Sequence, residues 1–233
     1  MPAAIVCLPT YNERANLEPM IHALAPLGVR VLVIDDNSPD GTGEIADRLA
    51  QELDFVSVLH RERKEGLGPA YVAGFRRALA DGADLILEMD SDFSHDPNDV
   101  LRLIAACETA DVALGSRYVP GGGTTDWGLG RRVVSVGGSW YARTVLGVNV
   151  RDLTGGFKCY RRAVLERIDL DAIASKGYAF QIETTYRAIR AGFTVVEVPI
   201  LFSDRAAGQS KMSRAIVLEA VTRVPALRFS RLR

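Results

Sequence analysis

The chain has 233 residues, of which 48% are apolar and 24% charged, with a net charge of −1. That is enough to bury a large core as one domain, and it excludes a disordered or fibrous chain. Cys7, Cys107 and Cys159 are odd in number, widely separated and without metal-ligand spacing, which favours a reducing compartment and packing as small apolar groups over a disulfide frame.

In chain order, Ala3 to Leu8, Val29 to Ile34, Phe55 to Leu59, Leu85 to Met89 and Val112 to Leu114 read as short strands. The segments between them, Leu17 to Leu27, Glu44 to Leu53, Ala70 to Leu79 and Val100 to Cys107, carry helical spacing. Strand and helix alternating four times over predict an α/β fold with a mostly parallel sheet and helices on both faces. After Gly115 the pattern loosens. Residues 118–130 hold five glycines and read as a loop, and "DLTGGF" at 152–157 is turn-rich. Helices are expected at Val133 to Leu146, Phe180 to Ala191 and Ala215 to Val224, with a strand at Thr194 to Val198. One domain, 1–212, followed by a basic amphipathic tail, 213–233, is the expected organisation.

In such sheets ligands bind beyond the carboxyl ends of the strands. Those ends are where this sequence turns polar: "PTYNE", "DDNSPDG", "DSDFSHD" and "GSRYVPGGG". Asp90 and Asp92, one residue apart after a strand, can face a cation that prefers oxygen ligands, Mg²⁺ or Mn²⁺, together with substrate phosphates. Helix capping is the competing explanation, with Asp96 then starting a helix at Pro97. A second Asp-x-Asp, Asp169 and Asp171, is better explained as acidic caps of a helix N-terminus. Of Asp35 and Asp36, one can accept hydrogen bonds from a ribose or a base edge; an Asx-turn competes. Gly66, Gly68 and Gly74 miss the spacing of a dinucleotide fingerprint. Arg117, Arg131, Arg132, Arg205 and Lys211 sit at strand ends and loop edges, where they can complete a phosphate site.

Six segments, "LPTYNERANL", "VIDDNSPDGT", "MDSDFSHDP", "GSRY", "DLTGGFKCYRR" and "DRAAGQSKM", together resemble the family-2 inverting glycosyltransferases of the GT-A fold, most closely the dolichyl-phosphate or polyprenyl-phosphate mannose synthases. The likeness runs from about Ile5 to Met212 and implies transfer of mannose from GDP-mannose to a polyprenyl phosphate with Mg²⁺ or Mn²⁺. It places Pro9, Tyr11 and Glu13 at the guanosine, and Ile34 and Asp36 beside base and ribose. Asp90, Ser91 and Asp92 would hold donor and metal. Arg117, Arg205 and Lys211 would meet donor and phosphate, and Arg131 the lipid phosphate, so that Asp92, Arg117 and Arg131 form the catalytic set. Ser94 stands where some relatives have a Gln that reaches the metal, so it is the doubtful third ligand. His95 is left as a structural hydrogen-bonder, because an acceptor phosphate that is already ionised requires no general base.

Residues 204–233 carry a net +5 and residues 1–203 a net −6. Val217, Val221 and Val224 fall on one stripe of the tail, interrupted by Pro225. Seating on an anionic membrane surface and packing on the catalytic domain both fit. With no run of about 18 apolar residues and no signal-peptide pattern, the expectation is a cytosolic protein, peripheral on a membrane, with or without a membrane-protein partner and with no nucleic-acid partner. A family-2 transferase with another donor such as UDP-glucose, or with a hydroxyl acceptor, and an inactive sugar-nucleotide-binding module remain as alternatives.

Overall fold

The computed structural model describes residues 2–125, 127–173, 175, 177–203 and 214–229. Strands β1 (Ala4–Thr10), β2 (Arg30–Asp35), β3 (Val56–His60), β4 (Leu85–Glu88), β5 (Val112–Ser116), β7 (Lys158–Arg161) and β8 (Val195–Pro199) form one sheet. Its order is β3-β2-β1-β4-β7-β5-β8, parallel except for β7. Two further short strands, β6 (Gly123–Thr124) and β9 (Leu201–Phe202), pair with each other beside the main sheet.

Central strands buried on both faces need continuous apolar runs, which "AIVCLPT" and "LILE" supply. In β1, Val6 and Leu8 face one core with Met20, Leu49, Val100 and Leu103. Ile5 and Cys7 face the other, with Tyr71, Phe75 and Phe180. The first layer belongs to α1 (Leu17–Leu24), α2 (Thr42–Glu52) and α4 (Asp99–Ala106); the second to α3 (Leu67–Ala80), α6 (Arg162–Arg167) and α7 (Tyr178–Arg190). Helices therefore cover both faces, as the alternation predicts. Gly74 is what brings α3 down onto the sheet: a Cβ there would lie 2.4 Å from Ile34 Cδ1.

The differences from the sequence reading have local causes. The first helix ends at Leu24 and not Leu27, because Pro26 cannot continue it; a 3₁₀ turn and left-handed Gly28 close the segment. The fourth helix starts at Asp99, two residues after Pro97. Asp96 accepts the Asn98 N–H at 2.9 Å and caps the turn before it. Asp169 caps a turn and no helix, accepting the amides of Asp171 and Ala172, while Asp171 pairs with Arg76. The supposed loop at 118–130 contains β6 and the first two residues of α5 (Leu129–Leu146). β7, the antiparallel strand between β4 and β5, has no counterpart in the sequence reading.

Helix α8 (Arg214–Phe229) runs through Pro225 rather than breaking there. Val224 and Leu227 are buried among Ala142, Leu146, Ile182 and Tyr186 of α5 and α7, so this end of the tail packs on the catalytic body. The side chains of Val217 and Val221 lie outside the described residues. Among the described residues no helix is long and apolar enough to cross a membrane.

Candidate donor and metal site at the strand ends

Chain order reverses between β1 and β4, since β2 and β3 extend one side of β1 and β4 lies on the other. A crevice opens beyond the carboxyl ends of such a pair. The end of β1 with the loop after it (Pro9 to Glu13) and the loop after β4 (Met89 to Pro97) flank that point, and Ser91 Oγ approaches the Pro9 carbonyl at 3.5 Å.

The acidic loop is held from within. Asp92 is 2% exposed and accepts the Ser94 amide at 3.1 Å and the Ser94 hydroxyl on Oδ1. Ser94 thus orients the Asp92 carboxylate, which is a better-defined role than the metal ligand expected of it. Phe93 takes a left-handed φ of 61°, rare for a bulky residue, and the conformation folds the loop so tightly that Ser94 reaches back. His95 is buried; its Nδ1 accepts the Asp90 amide at 3.3 Å and its ring stacks on Phe157 at 4.8 Å. Burial lowers its pKa to about 4, with the charge of Asp92 opposing, so the imidazole is neutral at physiological pH. It serves as the structural hydrogen-bonder expected. Asp90 and Asp92 both lie on this loop and offer only oxygen donors, the type that Mg²⁺ or Mn²⁺ takes alongside waters and substrate phosphates.

At the carboxyl end of β2, Asp35 takes up the Asx-turn of the two alternatives, while Asp36 faces a cation. Asp35 closes the turn, accepting the Ser38 amide at 3.1 Å and its hydroxyl at 2.5 Å, with Thr10 Oγ1 at 3.2 Å. Asp36 is also buried and pairs with Arg61 Nη1 at 2.5 Å. Burial raises the Asp36 carboxyl pKa despite that cation. Tyr11 lies under Lys64, whose Nζ is 3.9 Å from the ring centroid. Glu13 accepts Asn16 Nδ2 at 2.8 Å, and its amide donates to Thr42 Oγ1 at 3.0 Å, which joins the first loop to α2. Ile34, expected beside base and ribose, has its side chain wholly buried against Gly74 in the core under α3.

Arg117, expected to meet donor and phosphate, is paired within the protein. It donates through Nε and Nη2 to Asp152 at 2.7 Å each, and through its amide to the same carboxylate at 3.0 Å. The bidentate face expected to meet a phosphate is turned to Asp152. Its charge still lies at the site, because Asp92, Arg117 and Asp152 are the charged groups that act on the His95 ring. Arg131 lies over the Trp127 ring at 4.1 Å, with Arg117 5.5 Å from the same ring. Arg205 and Lys211 fall outside the described residues. Sequence reasoning missed Arg61, Lys64, Trp127 and Asp152. "DLTGGF" marked the place of Asp152, but no spacing rule announced its partner.

Below the loop lies a buried polar cluster. Lys158 and Glu88, opposite each other across β7 and β4 and both 0% exposed, pair at 2.9 Å; Tyr160 OH donates to the same Glu88 oxygen at 3.0 Å. Burial raises the Glu88 pKa and lowers that of Lys158, so desolvation outweighs their attraction.

Residues 5–169 match the family model described as glycosyl transferase family 2. A polyprenol monophosphomannose synthase of Mycolicibacterium smegmatis is 51% identical over 225 residues, covering 94% of this chain and 84% of the relative. An undecaprenyl-phosphate mannosyltransferase of Micrococcus luteus is 50% identical over 222 residues, covering 94% and 91%. Among solved structures, a mannosyltransferase of Pyrobaculum calidifontis in complex with GDP-Man and Mn²⁺ superposes with a TM-score of 0.65 at 16% identity, over 100% of this chain and 66% of that longer one, a likeness of fold of the GT-A type.

Proposed function

The chain belongs to glycosyl transferase family 2, and we propose that it transfers mannose, with inversion, from GDP-mannose to the monophosphate of a polyprenol. The observation that carries this reading is the pair of relatives about half identical over 94% of the chain, each named for mannosyl transfer to a polyprenyl phosphate or its equivalent. The residues agree with the chemistry. Asp90 and Asp92 would hold Mg²⁺ or Mn²⁺, which when bound neutralises charge on the departing diphosphate. Ser94 and His95 fix those two residues beforehand, through the Asp92 carboxylate and the Asp90 amide. A phosphate acceptor arrives ionised, so the nearest imidazole can be committed to a backbone amide without loss. What the protein must do is bring two anions together, and Arg131, over Trp127, would offset that repulsion.

The acceptor's lipid character is supported by α5. Leu129, Val133, Val136 and Trp140, spaced i, i+4, i+7 and i+11, are 81%, 69%, 43% and 64% exposed. Arg131 and Arg132 lie in the same turns. An exposed apolar stripe beside arginines suits the surface of an anionic membrane, where the stripe would seat among acyl chains. A cavity of about 340 Å³ next to it, lined by Tyr118, Val136, Trp140, Arg143, Asn149 and Arg151, combines apolar walls with cations.

The test is a donor panel of GDP-mannose, GDP-glucose, UDP-glucose and UDP-N-acetylglucosamine against one short polyprenyl phosphate, with Mn²⁺ or with chelator, read by mass spectrometry. Mannosyl polyprenyl phosphate formed from GDP-mannose only with metal is the expected product. Turnover with a UDP-sugar and none with GDP-mannose overturns the reading.

A further inference from the structure

The two halves of the site are joined by one column of rings. Phe157 stacks on His95 at 4.8 Å, His95 meets Phe202 edge to face at 5.2 Å, and Phe202 meets Trp127 edge to face at 5.3 Å. Arg131 closes the column over Trp127 at 4.1 Å. Each separation lies within the range of a favourable aromatic or cation–π contact. The backbone follows the same path. Ser203 donates its amide to the Ser94 carbonyl at 3.1 Å, on the acidic loop; Thr125 donates to the Phe202 carbonyl at 2.9 Å, two residues before Trp127. β9 is therefore bonded on one side to the loop that carries Asp90 and Asp92, and on the other to the segment that carries Trp127.

We propose that Phe202 is a positioning residue that couples the donor loop to the acceptor-side arginine: its ring touches both His95, which holds the Asp90 amide, and Trp127, which supports Arg131. The inference rests on the donor and acceptor reading above. A nucleotide and cation that load the loop displace Asp90, whose amide His95 holds; His95 passes the displacement to the Phe202 edge, and Phe202 to the plane of Trp127 on which Arg131 rests. Spatial continuity alone does not establish coupling. The test must therefore read Trp127 while only the donor end is loaded.

The chain has two tryptophans, Trp127 and Trp140, so Trp140→Phe leaves Trp127 as the sole indole reporter. In that background GDP and UDP, each with Mg²⁺, are titrated without acceptor, and binding is measured separately by calorimetry. The expected result is a change in Trp127 emission on binding, which Phe202→Leu largely removes while the nucleotide affinity stays within about three-fold, and which the ring-retaining Phe202→Tyr preserves. With lipid acceptor, Phe202→Leu lowers kcat by about three- to thirty-fold, the span typical of residues that couple two sites. Nucleotide binding with no emission change, or an unaltered change in Phe202→Leu, overturns the inference and leaves the functional reading standing. Binding of neither nucleotide overturns the functional reading, and the inference with it. A loss of fold in Phe202→Leu shows in its melting curve, and the Tyr variant then decides, since retention of a ring with loss of the signal also refutes the coupling.

Discussion

Replacing Asp152 by Asn probes the largest departure from the expected site. The carboxylate is 0% exposed and Arg117, at 6%, has three donors on it, two at 2.7 Å and one at 3.0 Å. Asn preserves the shape, removes the charge and turns an amide donor toward a buried guanidinium. Breaking one side of such a pair leaves an uncompensated cation and costs about 3–5 kcal/mol. At this chain length each kcal/mol lowers the melting temperature by about 2–4 °C, so the variant is expected to melt roughly 6–20 °C below the parent by calorimetry. The double variant Arg117→Met with Asp152→Asn removes both charges and keeps a side-chain oxygen to accept the amide of residue 117, and it should recover most of that loss. Activity then separates from stability. A recovered melting temperature with lost mannosyl transfer means that the charge of Arg117 serves the reaction; recovered transfer means that it serves only the fold. An Asp152→Asn protein melting within about 2 °C of the parent refutes the view that this pair is buried and compensated.

Asp92→Asn keeps the turn with Ser94 but weakens the donor set for the cation, so turnover is expected to fall about a hundred-fold or more across a Mn²⁺ titration, with the melting curve little changed. Full activity at every Mn²⁺ concentration would show that Asp92 is not a ligand. Lys158→Met strands the buried Glu88 carboxylate and should cost about 3–5 kcal/mol in urea unfolding, with Glu88→Gln added in the same chain restoring most of it. Val133→Asp places a charge on the exposed stripe of α5 and forfeits about 1.5 kcal/mol of side-chain burial in a membrane, expected as an about ten-fold weaker co-sedimentation with phosphatidylglycerol vesicles. Unchanged co-sedimentation would remove α5 from the lipid-facing surface.

How much of this was legible follows from what each feature depends on. Strands β1, β2, β4 and β5 announce themselves because central parallel strands must be apolar over their whole length, and the polar residues that follow each of them mark the site. "KCYR" is different: Lys158 reads as a surface residue, yet it is wholly buried because Glu88 lies opposite it in register. No local pattern encodes that partner, so β7 stayed hidden. Helix bounds moved by a few residues at Pro26 and Pro97, where turn chemistry and not periodicity decides.

The same distinction separates the site residues. Asp90 and Asp92 are positioned by bonds within their own loop, to His95 and Ser94, so a short motif carries their geometry. Arg117, Asp36 and Ile34 are positioned by Asp152, Arg61 and Gly74, which lie 25 to 40 positions away in the chain. A motif can mark such residues as belonging to the site. It does not say whether the side chain faces the ligand, faces a partner, or lies beneath the floor. The proposal of a donor and cation site therefore rests on the acidic loop's own motif, whereas each arginine must be judged by the charge already opposite it. For Arg117 that charge is Asp152, which is why the double variant, and not Arg117→Ala alone, tests what the cation does.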